Sequence, residues 1–328
     1  MINISNVQKS DLSEIVTMIN SVYHSNVTSE KYLEWKMKCP ISQTVFLKAV
    51  LDDKIVAVRA ALPMRLYLNN KSMDVYQFCE TTTMREYQGK GIFKLITSQT
   101  KDLLKEKDIE FVIHFPNKSS LPAYRKSFNT MLIGCLHYKI VLTRFMIECH
   151  SHSESKYYKY NGRNVSFINY EEVQKLLIKY FNNKKVESEG SFQRNLTYLN
   201  WRYFAHPVNN YKAVILEKEE YVCGYMIFKK SIKGKIIYWL LVDYEVLKED
   251  KEKSIIKSRE LRKIIKKMKL SIVIIPFNRS IKDLYLDLEE FINIPLKKIN
   301  VAITNIKKNR VEKNILKLHL RAGDIDTF

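Results

Sequence analysis

Hydrophobic and polar positions repeat with two different periods over the first 145 or so residues, which predicts a mixture of strands and helices. Apolar residues at every second position indicate half-buried strands, and those three and four apart indicate amphipathic helices. The predicted elements are a strand at 2–7, helices from Ser10 or Asp11 and at 29–38, strands at 45–51, 55–68 and 73–83, a helix from Gly91, a strand at 110–115, a helix at 119–127 and a strand at 131–142. We expect an α+β fold in which the three consecutive strands form an antiparallel meander and the strand at 131–142 completes the sheet.

The second half of the chain repeats two landmarks of the first half. Tyr-Leu-Glu-Trp-Lys at 32–36 returns as Tyr-Leu-Asn-Trp-Arg at 198–202, which lies 166 residues later. Asn117, with a tyrosine seven residues further on, returns as Asn278, 161 residues later. The smaller second offset indicates a deletion of about five residues in the second copy. A period this long predicts tandem domains rather than a solenoid.

A polar, non-periodic stretch at 149–163 separates the two copies and is typical of a linker. We therefore predict a first domain at 1–148 and a second domain at 164–328, each large enough to bury its own core. No stretch reaches the roughly 18 uninterrupted apolar residues of a membrane span, and the first residues lack the features of a signal peptide. We expect a cytoplasmic protein without a membrane span, and the sequence leaves its oligomeric state open.

Composition narrows the chemistry only a little. The five cysteines are scattered without a C-x-x-C pair, and the seven histidines show no paired-ligand spacing, so we expect no metal. The formal net charge of +20 attracts polyanions such as nucleic acid, an anionic membrane or a phosphorylated cofactor. Charge alone does not choose among these partners.

The segment 81–96 is the most informative part of the sequence. It reads as a β-type run, a short turn with Gly89 and Gly91, and an amphipathic helix. Such a turn directs consecutive N–H groups and the positive end of the helix dipole at one point, which favours a phosphate. Both glycines permit close approach of a ligand, and Arg85 and Lys90 add positive charge. The Rossmann and P-loop patterns are absent.

This segment resembles the pyrophosphate loop of the GNAT acyltransferase superfamily, written Q/R-x-x-G-x-G/A. Gln88 to Gly91 match its first four positions, and Phe93 replaces the small residue at the last. The resemblance implies acetyl-CoA, or another acyl-CoA, as co-substrate and two tandem GNAT-like domains, each a mixed, mostly antiparallel sheet flanked by helices. The predicted cofactor-binding residues are Thr83, Met84, Arg85, Gln88, Gly89, Lys90, Gly91, Ile92, Phe93 and Asn117.

The stretch from Asn117 to Tyr124 resembles the N-x-x-S-x-x-x-Y pattern that follows the fifth strand in this family. The resemblance makes Asn117 a contact to the pantetheine arm and Tyr124 the acid that protonates the departing CoA thiolate. Acyl transfer also needs a base that removes a proton from the acceptor ammonium. Glu80 is the first candidate and His114 the second. The alternative interpretations are a surface carboxylate for Glu80 and a core histidine for His114.

In the second copy, 247–253 takes the place of the glycine loop. This segment has no glycine and carries three acidic residues, which would repel a diphosphate. We therefore predict that the second domain has lost its CoA site and serves as a wall of the acceptor site.

Three functions fit the sequence. The first is N-acylation of a primary amine on a small molecule; the tail at 321–326 resembles that of tandem enzymes acting on amino sugars of surface polysaccharides. The second comes from resemblance to peptidoglycan cross-bridge transferases, which pair two GNAT domains and use aminoacyl-tRNA but need no CoA diphosphate loop. The third is a non-enzymatic nucleic-acid or membrane-surface binder, indicated by a basic helix at 250–269. Nucleic acid is not favoured, because no known nucleic-acid-binding signature is present.

Overall fold

A computed structural model describes residues 1–143, 156–184, 187–219, 221–247, 256–278, 283–307 and 318–325. The chain divides into two compact units, and each is discontinuous in sequence. The first unit is Met1–Ile133, Ala205–Val208 and Asn300–Leu316, and the second is Gly134–Phe204, Asn209–Ile299 and Lys317–Phe328. Within the described ranges, no helix has the length and apolar character needed to cross a bilayer.

The first unit follows the predicted element order closely. Its strands are β1 (Asn3–Asn6), β2 (Val45–Leu51), β3 (Lys54–Leu68), β4 (Lys71–Thr83) and β5 (Phe111–His114), and its helices are α1 (Leu12–Tyr23), α2 (Glu30–Met37), α3 (Ile92–Glu106) and α4 (Ser120–Phe128). The strands lie in the order β1-β2-β3-β4-β5; the first four are antiparallel, and β5 runs parallel to β4. The parallel pair needs a crossover, which α3 provides.

The last strand of each sequence copy departs from the predicted arrangement. β6 (Met131–Leu142) pairs antiparallel with β13 (Ile272–Asn278) of the second unit. The edge of β5 is instead taken by the end of β14 (Ile292–Asn305), where Ala302 lies opposite His114. The expectation that 131–142 closes the first unit is therefore wrong, because residues from Gly134 onward belong to the second unit. Apolar alternation fixes the two faces of a strand but does not select its neighbour.

The second unit repeats the strand order of the first. Its further elements are β7 (Tyr157–Tyr160), β8 (Val165–Phe167), β9 (Ser191–Phe192), β10 (Tyr211–Lys218), β11 (Tyr221–Lys233), β12 (Ile236–Val246), α5 (Tyr170–Asn183), α6 (Leu196–Leu199), a π-helical turn (Asn200–Phe204) and α7 (Ser258–Lys267). β10, β11 and β12 are antiparallel neighbours, and β13 runs parallel to β12, as β5 does to β4. The tandem α+β fold is confirmed.

The predicted domain ranges, 1–148 and 164–328, are contiguous, whereas the compact units are not. Within the predicted linker 149–163, residues 149–155 lie outside the described residues and Tyr157–Tyr160 form β7. The acidic segment 247–253 is described only at its first residue. The predicted basic helix 250–269 begins, in the described residues, at Ser258, and its arginine and lysine side chains are exposed.

The core of the second unit contains a buried ionic network. Asp243 on β12 accepts hydrogen bonds from Arg194 Nε and Arg321 Nη1, each at 2.7 Å, and from the Tyr203 hydroxyl at 2.6 Å. Arg194 also pairs with Asp324. Burial alone would raise the pKa of Asp243, but the two guanidinium groups hold it below its ordinary value of 3.8. The C-terminal segment is thus part of the packed interior of this unit.

Candidate active site

The predicted cofactor loop connects β4 to α3 through a 3₁₀ turn, Arg85–Tyr87. Gln88 stabilises the turn, because its Nε2 donates to the Thr83 carbonyl oxygen at 3.0 Å. Gly89 and Gly91 follow with φ angles of 77° and 81°, in the left-handed region that glycine adopts without strain. Gly91 is the N-cap residue of α3 and has no side chain to cap the N–H groups of the first turn.

This geometry leaves a run of backbone donors at the start of α3. Leu95 is the first residue whose N–H bonds back along the helix, to the Gly91 carbonyl at 3.0 Å. Among the described residues, no acceptor receives the six consecutive N–H groups of Gly89 to Lys94. Free N–H groups and the positive end of the helix dipole together favour an anion. The loop can therefore hold a diphosphate through its backbone.

The side chains around the loop divide into two groups. Met84, Ile92 and Phe93 pack on the hydrophobic core of the first unit, so their backbone groups are what a ligand at the loop would meet. Arg85 and Lys90 are exposed, where their charges attract a diphosphate.

Asn117 fixes the start of α4, the helix that carries Tyr124. Its Oδ1 accepts the backbone N–H groups of Ser119 and Ser120, each at 2.9 Å. Its Nδ2 donates to no acceptor among the described residues and stays available for a carbonyl of a ligand.

Tyr124 is buried in a group of aromatic rings under the loop. Its ring meets the edge of Phe93 at 5.0 Å between centroids and the ring of His114 at 4.3 Å. Its hydroxyl oxygen accepts a hydrogen bond from Arg59 Nη2 at 2.7 Å. Within the described part of the chain, no atom accepts the hydroxyl proton of Tyr124 in return. The phenol is held in place with its proton free.

Arg59 is a site residue that the sequence analysis missed. It lies on β3 in the apolar run Ile55–Leu62 and is fully buried. Its guanidinium stacks on Phe78 at 3.9 Å from the ring centroid, and Nη1 donates to Thr81 Oγ1 at 3.3 Å. Its Nε–H has no acceptor, and no carboxylate of the described residues pairs with it. An arginine within an apolar strand is the signal that could have identified it.

Glu80 lies in a bulge of β4. Two residues, Glu80 and Thr81, stand opposite the single residue Arg59, and Glu80 has a positive φ of 42°. Its Oε1 accepts a hydrogen bond from Lys36, a fully buried residue of α2, while its own side chain keeps 14% of its surface exposed. The other carboxylate oxygen has no partner among the described residues. Glu80 is therefore a paired, partly buried carboxylate and not a freely solvated one.

His114 lies on β5 inside the first unit and is 2% exposed. Its Nε2 shares a 3.0 Å hydrogen bond with Thr304 Oγ1 on β14, and its Nδ1 has no partner in the part of the chain that the structure describes. Burial, and next the charge of Arg59, lower the pKa of His114 to about 3. A group that accepts protons only near pH 3 is a weak base at neutral pH, so Glu80 is the better candidate.

The second unit places Tyr285 at the position that matches Tyr124. Tyr285 Oη donates to Glu245 Oε1 at 3.3 Å and shares a 2.7 Å hydrogen bond with Ser188 Oγ. Burial, followed by the negative charge of Glu245, raises its pKa. The residue lines a cavity of about 340 Å³ whose wall also includes Tyr244 and Arg321. The hydroxyl proton of Tyr285 is therefore already donated within the second unit.

Among the described residues, no group of three or more His, Cys, Asp or Glu side chains lies close enough together to bind a metal ion.

Comparison with known proteins agrees with this geometry. A family model described as an acetyltransferase (GNAT) domain matches residues 3–127, which include the loop, Glu80 and Tyr124. No curated protein matches the sequence.

Solved structures share the fold of the whole chain at low sequence identity. A GCN5-related N-acetyltransferase from Anabaena variabilis ATCC 29413 is 12% identical with a TM-score of 0.63, over 94% of this chain and 73% of that one. A probable N-acyltransferase from Enterococcus faecalis V583 is 12% identical with a TM-score of 0.64, over 93% and 73%. Saccharomyces cerevisiae N-myristoyltransferase with bound myristoyl-CoA is 11% identical with a TM-score of 0.57, over 92% and 82%.

Proposed function

Because residues 3–127 form a GNAT domain and the chain is an acyl-CoA-dependent N-acyltransferase of that type, we propose that its first unit transfers an acetyl group from acetyl-CoA to a primary amine of a small molecule. The main support for the proposal is the run of free N–H groups from Gly89 to Lys94, together with Tyr124 on α4, whose hydroxyl proton is free. The first feature suits the cofactor diphosphate, and the second suits its leaving thiolate.

The residues divide the reaction between them. Glu80 removes a proton from the acceptor ammonium, and the neutral amine attacks the thioester carbonyl carbon. The C–S bond then breaks, Tyr124 gives its proton to the thiolate, and the nitrogen of the new amide releases its second proton to solvent. Asn117 Nδ2 donates to the pantetheine arm. The bulge that holds Glu80 interrupts the ladder between β3 and β4, which frees backbone groups there for the oxyanion.

The acceptor proposal rests on sequence resemblance. An amino sugar of a surface polysaccharide was expected from the tail at 321–326. In the described part of this tail, Arg321 and Asp324 are buried and paired inside the second unit, so their side chains serve packing. Amino sugars are therefore tested as one of several classes of amine acceptor.

The experiment has two parts. Calorimetric titration of the full chain with acetyl-CoA should give one site per chain, since only the first copy has the glycine loop; absence of binding would refute the proposal. Release of free thiol is then measured with glucosamine, polyamines, amino acids and aminoacyl peptides as acceptors. Because one structural neighbour binds myristoyl-CoA, the donors should include long-chain acyl-CoAs as well as acetyl-CoA.

A further inference from the structure

Arg59 is buried without the carboxylate that normally accompanies a buried arginine. Proteins rarely remove a guanidinium from water unless an anion neutralises it. The second unit follows this rule, because Arg194 and Arg321 both pair with Asp243. Within the described residues, the hydrogen-bond and stacking partners of Arg59 are neutral: a tyrosine, a threonine and an aromatic face. Its positive charge therefore remains available to an anion that forms or binds beside it.

The hydrogen bond between Arg59 and Tyr124 has a fixed direction. A guanidinium group has donors only, so Tyr124 Oη is the acceptor of the 2.7 Å bond. The phenolic proton must point to a different acceptor, and the described residues supply none. The rings of Phe93 and His114 pack against Tyr124 and limit the directions in which the proton can point.

We infer that Arg59 is a positioning residue that makes Tyr124 an effective acid toward the CoA thiolate. The inference rests on the proposed function. When the C–S bond breaks, sulfur keeps the electron pair and takes the Tyr124 proton. The phenolate that is left is held by the hydrogen bond from Arg59 Nη2, and it recovers a proton from solvent after CoA departs.

The chemistry of the step explains why a cation is needed there. A free tyrosine has a pKa of about 10 and a free thiol one of about 8.5, so transfer from phenol to thiolate is unfavourable by roughly 30-fold. A hydrogen bond to an ionised group stabilises that group by a factor of about 10 to 150. One bond from Arg59 to the phenolate is thus enough to offset the mismatch. A carboxylate partner for Arg59 would remove this effect.

The test is a double-mutant cycle of Arg59→Ala and Tyr124→Phe in the full chain. Turnover is followed as thiol release from acetyl-CoA with glucosamine as acceptor or, where glucosamine gives no turnover, as acetyl-CoA hydrolysis; affinity is measured by calorimetry. Arg59→Ala should lower turnover about 10- to 100-fold and leave acetyl-CoA affinity within about threefold. Millimolar guanidinium chloride should restore part of the lost turnover in Arg59→Ala and none in Tyr124→Phe.

The cycle separates this inference from the proposed function. In the Tyr124→Phe background, removal of Arg59 should have little further effect, because the two residues act as one unit. Additive losses, or no rescue by guanidinium, would overturn the role of Arg59 and leave Tyr124 as the acid. Wild-type turnover in Tyr124→Phe would overturn the acid itself.

Two further variants keep the test interpretable. Arg65→Ala removes an exposed arginine of the same strand, paired with Asp74, and should behave as wild type. Arg59→Met keeps the length of the side chain without its charge, and it replaces the alanine variant in the cycle if that variant does not fold.

Discussion

Tyr124 and Tyr285 occupy matching positions in two copies of one repeat, and their hydroxyl groups are bonded in opposite senses. Tyr124 accepts a hydrogen bond from a cation, Arg59, and its proton is free within the described residues. Tyr285 donates its proton to an anion, Glu245, and shares a second bond with Ser188. This difference supports the proposal that Tyr124, and not Tyr285, donates a proton.

The difference extends to the charges around each tyrosine. Among the described residues of the first unit, the Nε–H of the buried Arg59 and a row of backbone N–H groups lack acceptors, which is rare for buried or clustered donors. In the second unit Asp243 is matched by two arginines. This contrast supports the proposal that the first copy binds acetyl-CoA, whereas the interior of the second copy contains a network of ion pairs.

The largest expected effect is on turnover at Tyr124. Tyr124→Phe should lower turnover by about 10²- to 10⁴-fold with little change in acetyl-CoA affinity, because it removes only the proton donor. Tyr285→Phe is the matched control and should leave turnover nearly unchanged. Steady-state thiol release checks both. Equal losses in the two variants would mean that the comparison of the two copies is wrong.

A large effect on stability is expected in the second unit. Asp243→Asn removes the carboxylate that Arg194 and Arg321 share and leaves them only Asp324 and Glu245, so it should lower the free energy of unfolding by about 3–5 kcal/mol. Asp74→Asn breaks the exposed pair with Arg65 and should cost no more than about 1 kcal/mol. Urea denaturation measures both. A small loss for Asp243→Asn would show that the second unit does not depend on its ion pairs.

Gly91→Glu should weaken acetyl-CoA binding by about 100-fold or more, because it places a carboxylate where the diphosphate is expected. No protein atom lies within 4 Å of a Cβ at this position, so the fold should tolerate the change apart from about 1–2 kcal/mol for a positive φ. Gly162→Glu is the control, since Gly162 has a φ of 80° and equally open space. Calorimetry measures affinity, and a thermal melt checks folding. Unchanged binding in a folded Gly91→Glu variant would refute the loop assignment.

The smallest effect is a pH dependence that belongs to the first unit. The pKa of His114 is about 3 in the folded protein and near 6.5 when exposed, so the unfolded state takes up the proton first as pH falls. The contribution of neutral His114 to the free energy of unfolding is fully present above pH 6.5. It is lost progressively toward pH 3, by about 2 kcal/mol between pH 6.5 and 5. Urea denaturation at several pH values should show this slope in the wild type and a shallower one in His114→Asn. Identical slopes would show that His114 is protonated in the native state.

Sequence reasoning worked best where the signal is local. The start of α3 and the two glycines before it follow from residues close together in the chain, and backbone physics determines what such residues do. It failed where the partner is distant. Nothing in the run around Arg59 reveals that its guanidinium reaches Tyr124, 65 residues away. No sequence feature close to Glu80 predicts its ion pair with Lys36.

The exchange of final strands has the same origin. β6 and β14 are both long strands, so pattern alone does not determine which of them lies beside β5. Tertiary packing determines which strand pairs with β5. The hydrogen bond between Thr304 and His114, which are 190 positions apart in sequence, is part of that packing.

The pairing of β14 with β5 also limits where the chain can be truncated. A chain ending after residue 148 would keep the loop, Glu80 and Tyr124 but would lose the strand that borders β5, together with the hydroxyl that bonds His114. The edge of β5 would be exposed, and an unpaired buried strand edge promotes aggregation. We therefore expect residues 1–148, expressed alone, to aggregate, whereas the full chain keeps this edge covered.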